Sequence, residues 1–69
     1  MQWDNKCLNV WLGGTSVNNH FYNCRVTDTG SGVVLVIQRD GCMIVRETYQ
    51  SSVDKVKELA ETWILSQMI

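Results

Sequence analysis

"VVLVIQRDGCMIV" (residues 33–45) is two apolar runs joined by Asp40-Gly41. A type I′ turn needs positive φ at both central positions, and Asp-Gly tolerates that conformation. The stretch is therefore predicted to form a β-hairpin pairing Arg39 with Cys42, Ile37 with Ile44 and Leu35 with Arg46. Both faces of this hairpin are apolar, whereas an antiparallel sheet with one wet face usually alternates apolar and polar residues. One helix can shelter only one of them.

Upstream, "HFYNCRV" (20–26) is aromatic and β-favouring, and "TDTGSG" (27–32) is rich in turn formers. A four-residue loop there aligns Val26 with Val33, Cys24 with Leu35 and Tyr22 with Ile37. The first candidate strand, "KCLNVWL" (6–12), ends at Gly13-Gly14. A loop running through Asn19 sets Leu12 against His20, Val10 against Tyr22 and Leu8 against Cys24. Gly13-Gly14 is alternatively a two-residue turn with the next strand beginning at Thr15. The looped registers gather Leu8, Val10, Leu12, Tyr22, Cys24, Val26, Val33, Leu35, Ile37 and Ile44 on one face.

From Ser51 onward the apolar period changes from two to 3.6. Ser51 followed by Asp54 resembles a capping box. Val53, Val56, Leu59, Ala60, Trp63 and Ile64 share one face of the resulting helix, and Asp54, Lys55, Glu58, Glu61 and Thr62 fall elsewhere. The expected fold is α+β: a four-stranded antiparallel β-meander (ββββα) with one C-terminal amphipathic helix packed on one face. Residues 1–69 are expected to make a single compact domain, since no proline, repeat or low-complexity stretch suggests a linker.

The face left bare by the helix is expected to present Val34, Val36, Met43, Val45, Trp11, Phe21 and Tyr49, rimmed by Asn9, Asn23, Arg25, Gln38 and Glu47. Apolar residues with a polar rim have the anatomy of an interface. Small domains often need a partner for stability, and two-fold dimers are the commonest homo-oligomers. The expected activity is thus a non-enzymatic small interaction module that forms a homodimer through this face and binds another, unidentified protein. A phage or mobile-element product acting on a host protein would suit so compact and motif-poor a chain. Cover by the chain's own ends is the competing explanation, with Trp3, Leu65, Met68 and Ile69 available for it.

An alternative is single-stranded nucleic-acid binding, with Trp11, Phe21 and Tyr49 stacking on bases while Arg25 and Lys6 meet phosphates. In strand order the expected layout resembles the PUR repeat, four strands followed by a helix, and that likeness implies single-strand binding. Six basic residues against seven acidic ones, a formal net charge of -1, weigh against a protein that neutralises many phosphates.

Other chemistries find little footing. Cys7, Cys24, Cys42 and His20 have no C-x-x-C knuckle, and His20 and Cys24 sit roughly 13 Å apart along one strand, too far for one zinc ion. His20, Arg39 and Cys42 form the best candidate thiol row, without an orienting third group. "LGGTS" and "DTGSGVV" run from strand to strand, not into the helix that a phosphate loop requires. Glu58 and Glu61 lie on a helix face expected to be solvated, where neither pKa would be tuned. No cofactor or metal is expected. The N-terminus lacks the charged start and apolar core of a signal peptide, and no apolar run approaches the roughly 20 residues needed to span a bilayer. A cytoplasmic, membrane-free chain is the expectation.

Overall fold

Asp40 and Gly41 both adopt positive φ (52° and 88°) and close the hairpin in which Arg39 faces Cys42. The computed structural model describes residues 1–68. Within them, β1 (Trp3–Cys7), β2 (Val10–Val17), β3 (His20–Asp28), β4 (Val33–Arg39) and β5 (Cys42–Tyr49) precede α1 (Val53–Leu65) and a 3-10 turn (Ser66–Met68). Every neighbouring pair is antiparallel and the spatial order follows the chain, β1-β2-β3-β4-β5. The class is α+β as expected, with five strands instead of four.

The extra strand arises because the expected first strand is two. Cys7 pairs with Val10, so Leu8 and Asn9 form a turn and Leu8 is 95% exposed instead of joining the core. The next turn is Asn18-Asn19, both at positive φ (51° and 68°), with Val17 opposite His20. Asn tolerates this region because its short polar side chain can bond locally. Gly13-Gly14 is neither turn nor loop. Both glycines lie inside β2, where a Cβ on Gly13 would come within 2.8 Å of the Met1 sulfur and one on Gly14 within 2.9 Å of the Phe21 ring.

Three registers differ from expectation, and parity decides the consequence. Across β3 and β4, Val26 meets Leu35 in place of Val33, a slip of two residues that leaves every side chain on its expected face. The four-residue loop 29–32 sets this register. Gly30 takes φ +86° with its N–H on Asp28 Oδ1, and Thr29 N–H donates to the Gly32 carbonyl at 2.9 Å. Across β2 and β3, Leu12 meets Arg25 in place of His20, an odd slip that exchanges the two faces of β2. Along β5 the ladder steps from Gln38–Met43 to Ile37–Val45, leaving Ile44 as a bulge and exchanging the faces of everything after it.

The core therefore lies between the helix and β3–β4. Tyr22, Cys24, Val26, Val33, Leu35 and Ile37 are buried against Val56, Ala60 and Ile64. Burial of each large aliphatic side chain contributes on the order of 1.5–3 kcal/mol. Trp3, Trp11, Val45, Tyr49, Val53 and Trp63 close its rim, with Trp63 set edge-on to Tyr22 at 6.1 Å. Leu59, expected in the buried stripe, is 37% exposed. The helix is capped by Ser52, not Ser51: its Oγ accepts from the Lys55 N–H at 3.2 Å. At the other end, Asn18 Nδ2 donates to the Gln67 carbonyl at 2.8 Å and ties the β2–β3 turn to the end of the helix. Among the described residues no helix is long and apolar enough to cross a membrane.

Candidate functional site

The helix-free face of the sheet is built from cross-strand rows. One row spans all five strands: Asp4, Leu12, Arg25, Val36 and Arg46. On one side of it run Val10, Thr27, Val34 and Thr48, and on the other Gly14, Asn23, Gln38 and Met43, with Ser16 and Phe21 beyond. Alternation along each strand puts all of these residues opposite the core.

Of the residues expected here, Phe21, Val34, Val36 and Met43 take their places. Trp11, Val45 and Tyr49 do not. Trp11 pairs with Val26, Val45 with Ile37 and Tyr49 with Val33, all in rows that face the helix. The odd slip in β2 moves Trp11, and the Ile44 bulge moves Val45 and Tyr49. Trp11 instead meets a cation on the helix side: Lys57 Nζ stands 5.1 Å from its ring and 5.9 Å from that of Trp3. In exchange, Val10 and Leu12 join the open face. Of the nucleic-acid candidates, Phe21, Arg25 and Lys6 stay on or beside this face, and Trp11 and Tyr49 leave it.

Val36, at the centre, is only 7% exposed although no helix covers it. It pairs with Arg25 and Arg46, both exposed, and lines one concavity with Leu12, Phe21 and Arg25. Around it Leu12 is 37%, Phe21 46% and Met43 58% exposed. Phe21 lies over Gly14, and a concavity of about 580 Å³ opens between Phe21, Leu12, Asn23, Arg25, Gln38 and Asp4. Of the residues expected to fold back over the face, Trp3 packs on the helix side and Leu65 and Met68 are each 60% exposed, while Gln2 lines the edge of the concavity. Ile69 lies outside the described residues.

Acidic groups are concentrated on the helix side, where Arg39, Lys55 and Lys57 also match in number the cations of the open face. Arg25, Arg46 and Lys6 accompany Asp4 on or beside the open face, and Lys6 Nζ is 4.0 Å from the Asp4 carboxylate. Among the described residues neither arginine forms an ion pair. Glu47, Asp54, Glu58 and Glu61 lie on the helix side, where Glu61 is half-buried, not solvated, and faces the Met1 amino group at 3.9 Å.

The reactive candidates are dispersed. His20 pairs with Val17, and the expected row contains Tyr22, Arg39 and Cys42 without it. His20 Nδ1 sits 2.6 Å from Asp40 Oδ2, and the Phe21 N–H donates to Asp40 Oδ1 at 2.9 Å. The His20 hydrogen bond, followed by that of the Phe21 amide, holds the Asp40 carboxyl below the usual carboxylate range. Burial, aided by the Glu61 charge, pushes the Cys24 thiol up to about 11, while Cys7 and Cys42 are exposed. Among the described residues no three of His, Cys, Asp and Glu gather as metal ligands would.

No family model, no curated protein and no solved structure matches this chain.

Proposed function

We propose that this chain is a non-enzymatic interaction module that self-associates through the helix-free face of its sheet. The observation that carries this reading is the accumulation of Val10, Leu12, Phe21, Val34, Val36 and Met43 on a face that the helix does not cover. Apolar side chains interspersed with amides and guanidinium groups suit an interface that forms and dissociates. The molecule measures 35 × 21 × 19 Å, so its broad side offers on the order of 500 Å² per partner, at the low end of specific interfaces. Reversible dimerisation, tested first in the micromolar range, is the expectation. Sedimentation velocity across that range is expected to show a monomer–dimer equilibrium that Leu12→Glu abolishes without loss of secondary structure. A wild-type protein that remains monomeric throughout refutes the reading.

One observation favours a second reading. The open face carries three cations against one carboxylate although the whole chain is net negative, and Phe21 is exposed among them. Single-stranded nucleic acid would meet such a surface by stacking and phosphate contact. A salt-sensitive mobility shift with a mixed-sequence oligonucleotide, lost on Arg25→Gln, is the result that would favour it.

A further inference from the structure

We infer that the second copy sits on the first about a two-fold axis parallel to the strands and passing over β3. This rests on the self-association proposed above and specifies how the two sheets meet. An axis in that direction keeps the level along the strand and reverses the strand order, so each cross-strand row lies on its own mirror order. In the five-residue row, Asp4 then faces Arg46 of the second copy and Leu12 faces its Val36. By symmetry the same two contacts recur on the other side. In the neighbouring row Val10 meets Val34 of the second copy, again twice.

Along the axis, β3 meets itself. Phe21 lies against Phe21 and Asn23 against Asn23, an aromatic pair and an amide pair that can each be self-complementary. Like charges meet at Arg25 against Arg25, and Lys6, beside Asp4, approaches Arg46 of the second copy. Stacked sheets sit about 10 Å apart with strands offset by about 30°, which displaces the outer strands by a few ångströms, within reach of an arginine side chain. A two-fold axis perpendicular to the strands would instead lay β1 on β1 and β5 on β5. It would bring acid towards acid at one edge and arginine towards arginine at the other, so the charge pattern selects the strand-parallel axis.

The test is a charge exchange. Asp4 and Arg46 are both exposed, at the two outer strands, so Asp4→Arg and Arg46→Asp are expected to fold. Each variant alone places like charges at both outer contacts and is expected to weaken self-association about tenfold or more by analytical ultracentrifugation. Mixed together, the two variants restore both contacts and are expected to form a heterodimer of near wild-type affinity. The double variant regains its homodimer. Asp54→Arg mixed with Lys55→Asp, a charge exchange on the helix, is expected to leave homodimer affinities unchanged and to create no preference for the mixed pair. Arg25→Gln removes the clash on the axis and is expected to tighten the dimer several-fold. A wild-type dimer indifferent to Asp4→Arg and Arg46→Asp, or a mixture showing no heterodimer, overturns the strand-parallel arrangement while leaving sheet-face association standing. A wild-type monomer overturns both.

Discussion

Ile37 and Val36 are consecutive residues of β4, and they have opposite surroundings. Ile37 pairs with Cys24 and Val45 and is wholly buried beneath the helix. Val36 pairs with Arg25 and Arg46 and is 7% exposed on the face the helix does not cover. The same backbone thus carries a dry face that stabilises the fold and an amphipathic face that the monomer tolerates. Arg25, Arg46, Asn23 and Gln38 lie among the apolar residues of the helix-free face. A face of valines alone would invite indiscriminate aggregation.

The largest effect expected from breaking this comparison is on the dry side. Ile37→Ala is expected to cost about 2–5 kcal/mol, most of the stability available to a domain this small, and chemical denaturation measures it. On the amphipathic side, Phe21→Ala is expected to change stability by less than about 1 kcal/mol yet to remove the dimer, which denaturation and sedimentation together reveal. If both substitutions cost similar stability and leave association alone, the two faces do not divide the labour.

Thiol chemistry sharpens the contrast by a different route. Cys24, buried with its thiol held near 11, is expected to react with a thiol reagent at neutral pH only as fast as the sheet opens. Cys7 and Cys42 are expected to be modified directly, and mass spectrometry of the labelled peptides orders the three. Because the folded Cys24 resists ionisation, stability is expected to fall as pH rises above the ordinary thiol range towards 11.

Smaller effects lie at the turns. Asp40 has its carboxyl pKa lowered by His20 and the Phe21 amide, so its contribution is present above the unfolded carboxylate range and is lost as pH falls through the folded value. Asp40→Asn is expected to flatten that acid limb of a stability–pH profile. At Asn19, φ 68° suits glycine, and Asn19→Gly is expected to shift stability by no more than about 0.5 kcal/mol.

Much of the centre of the molecule was legible in the residues. The Asp40-Gly41 turn, the faces of β3 and β4 and the helix were all readable, because local turn chemistry and long apolar periodicity acted in the same direction. The margins were not. Asn18-Asn19 outcompeted Gly13-Gly14 as the turn because the glycines are needed inside β2, beneath Met1 and Phe21. Nothing local announces that need. The bulge at Ile44 was equally hidden, since the expected Ile37–Ile44 pair and the observed Ile37–Val45 pair bury side chains of similar kind.

Residue types and their spacing alone determined that this chain would make an antiparallel sheet with one covering helix, because alternation and the 3.6 period are properties of the local backbone. Which way Trp11, Val45 and Tyr49 point was decided only in the tertiary structure. A side chain's face depends on the parity of every register between it and the core, and a single unpaired residue in a distant turn or bulge reverses it.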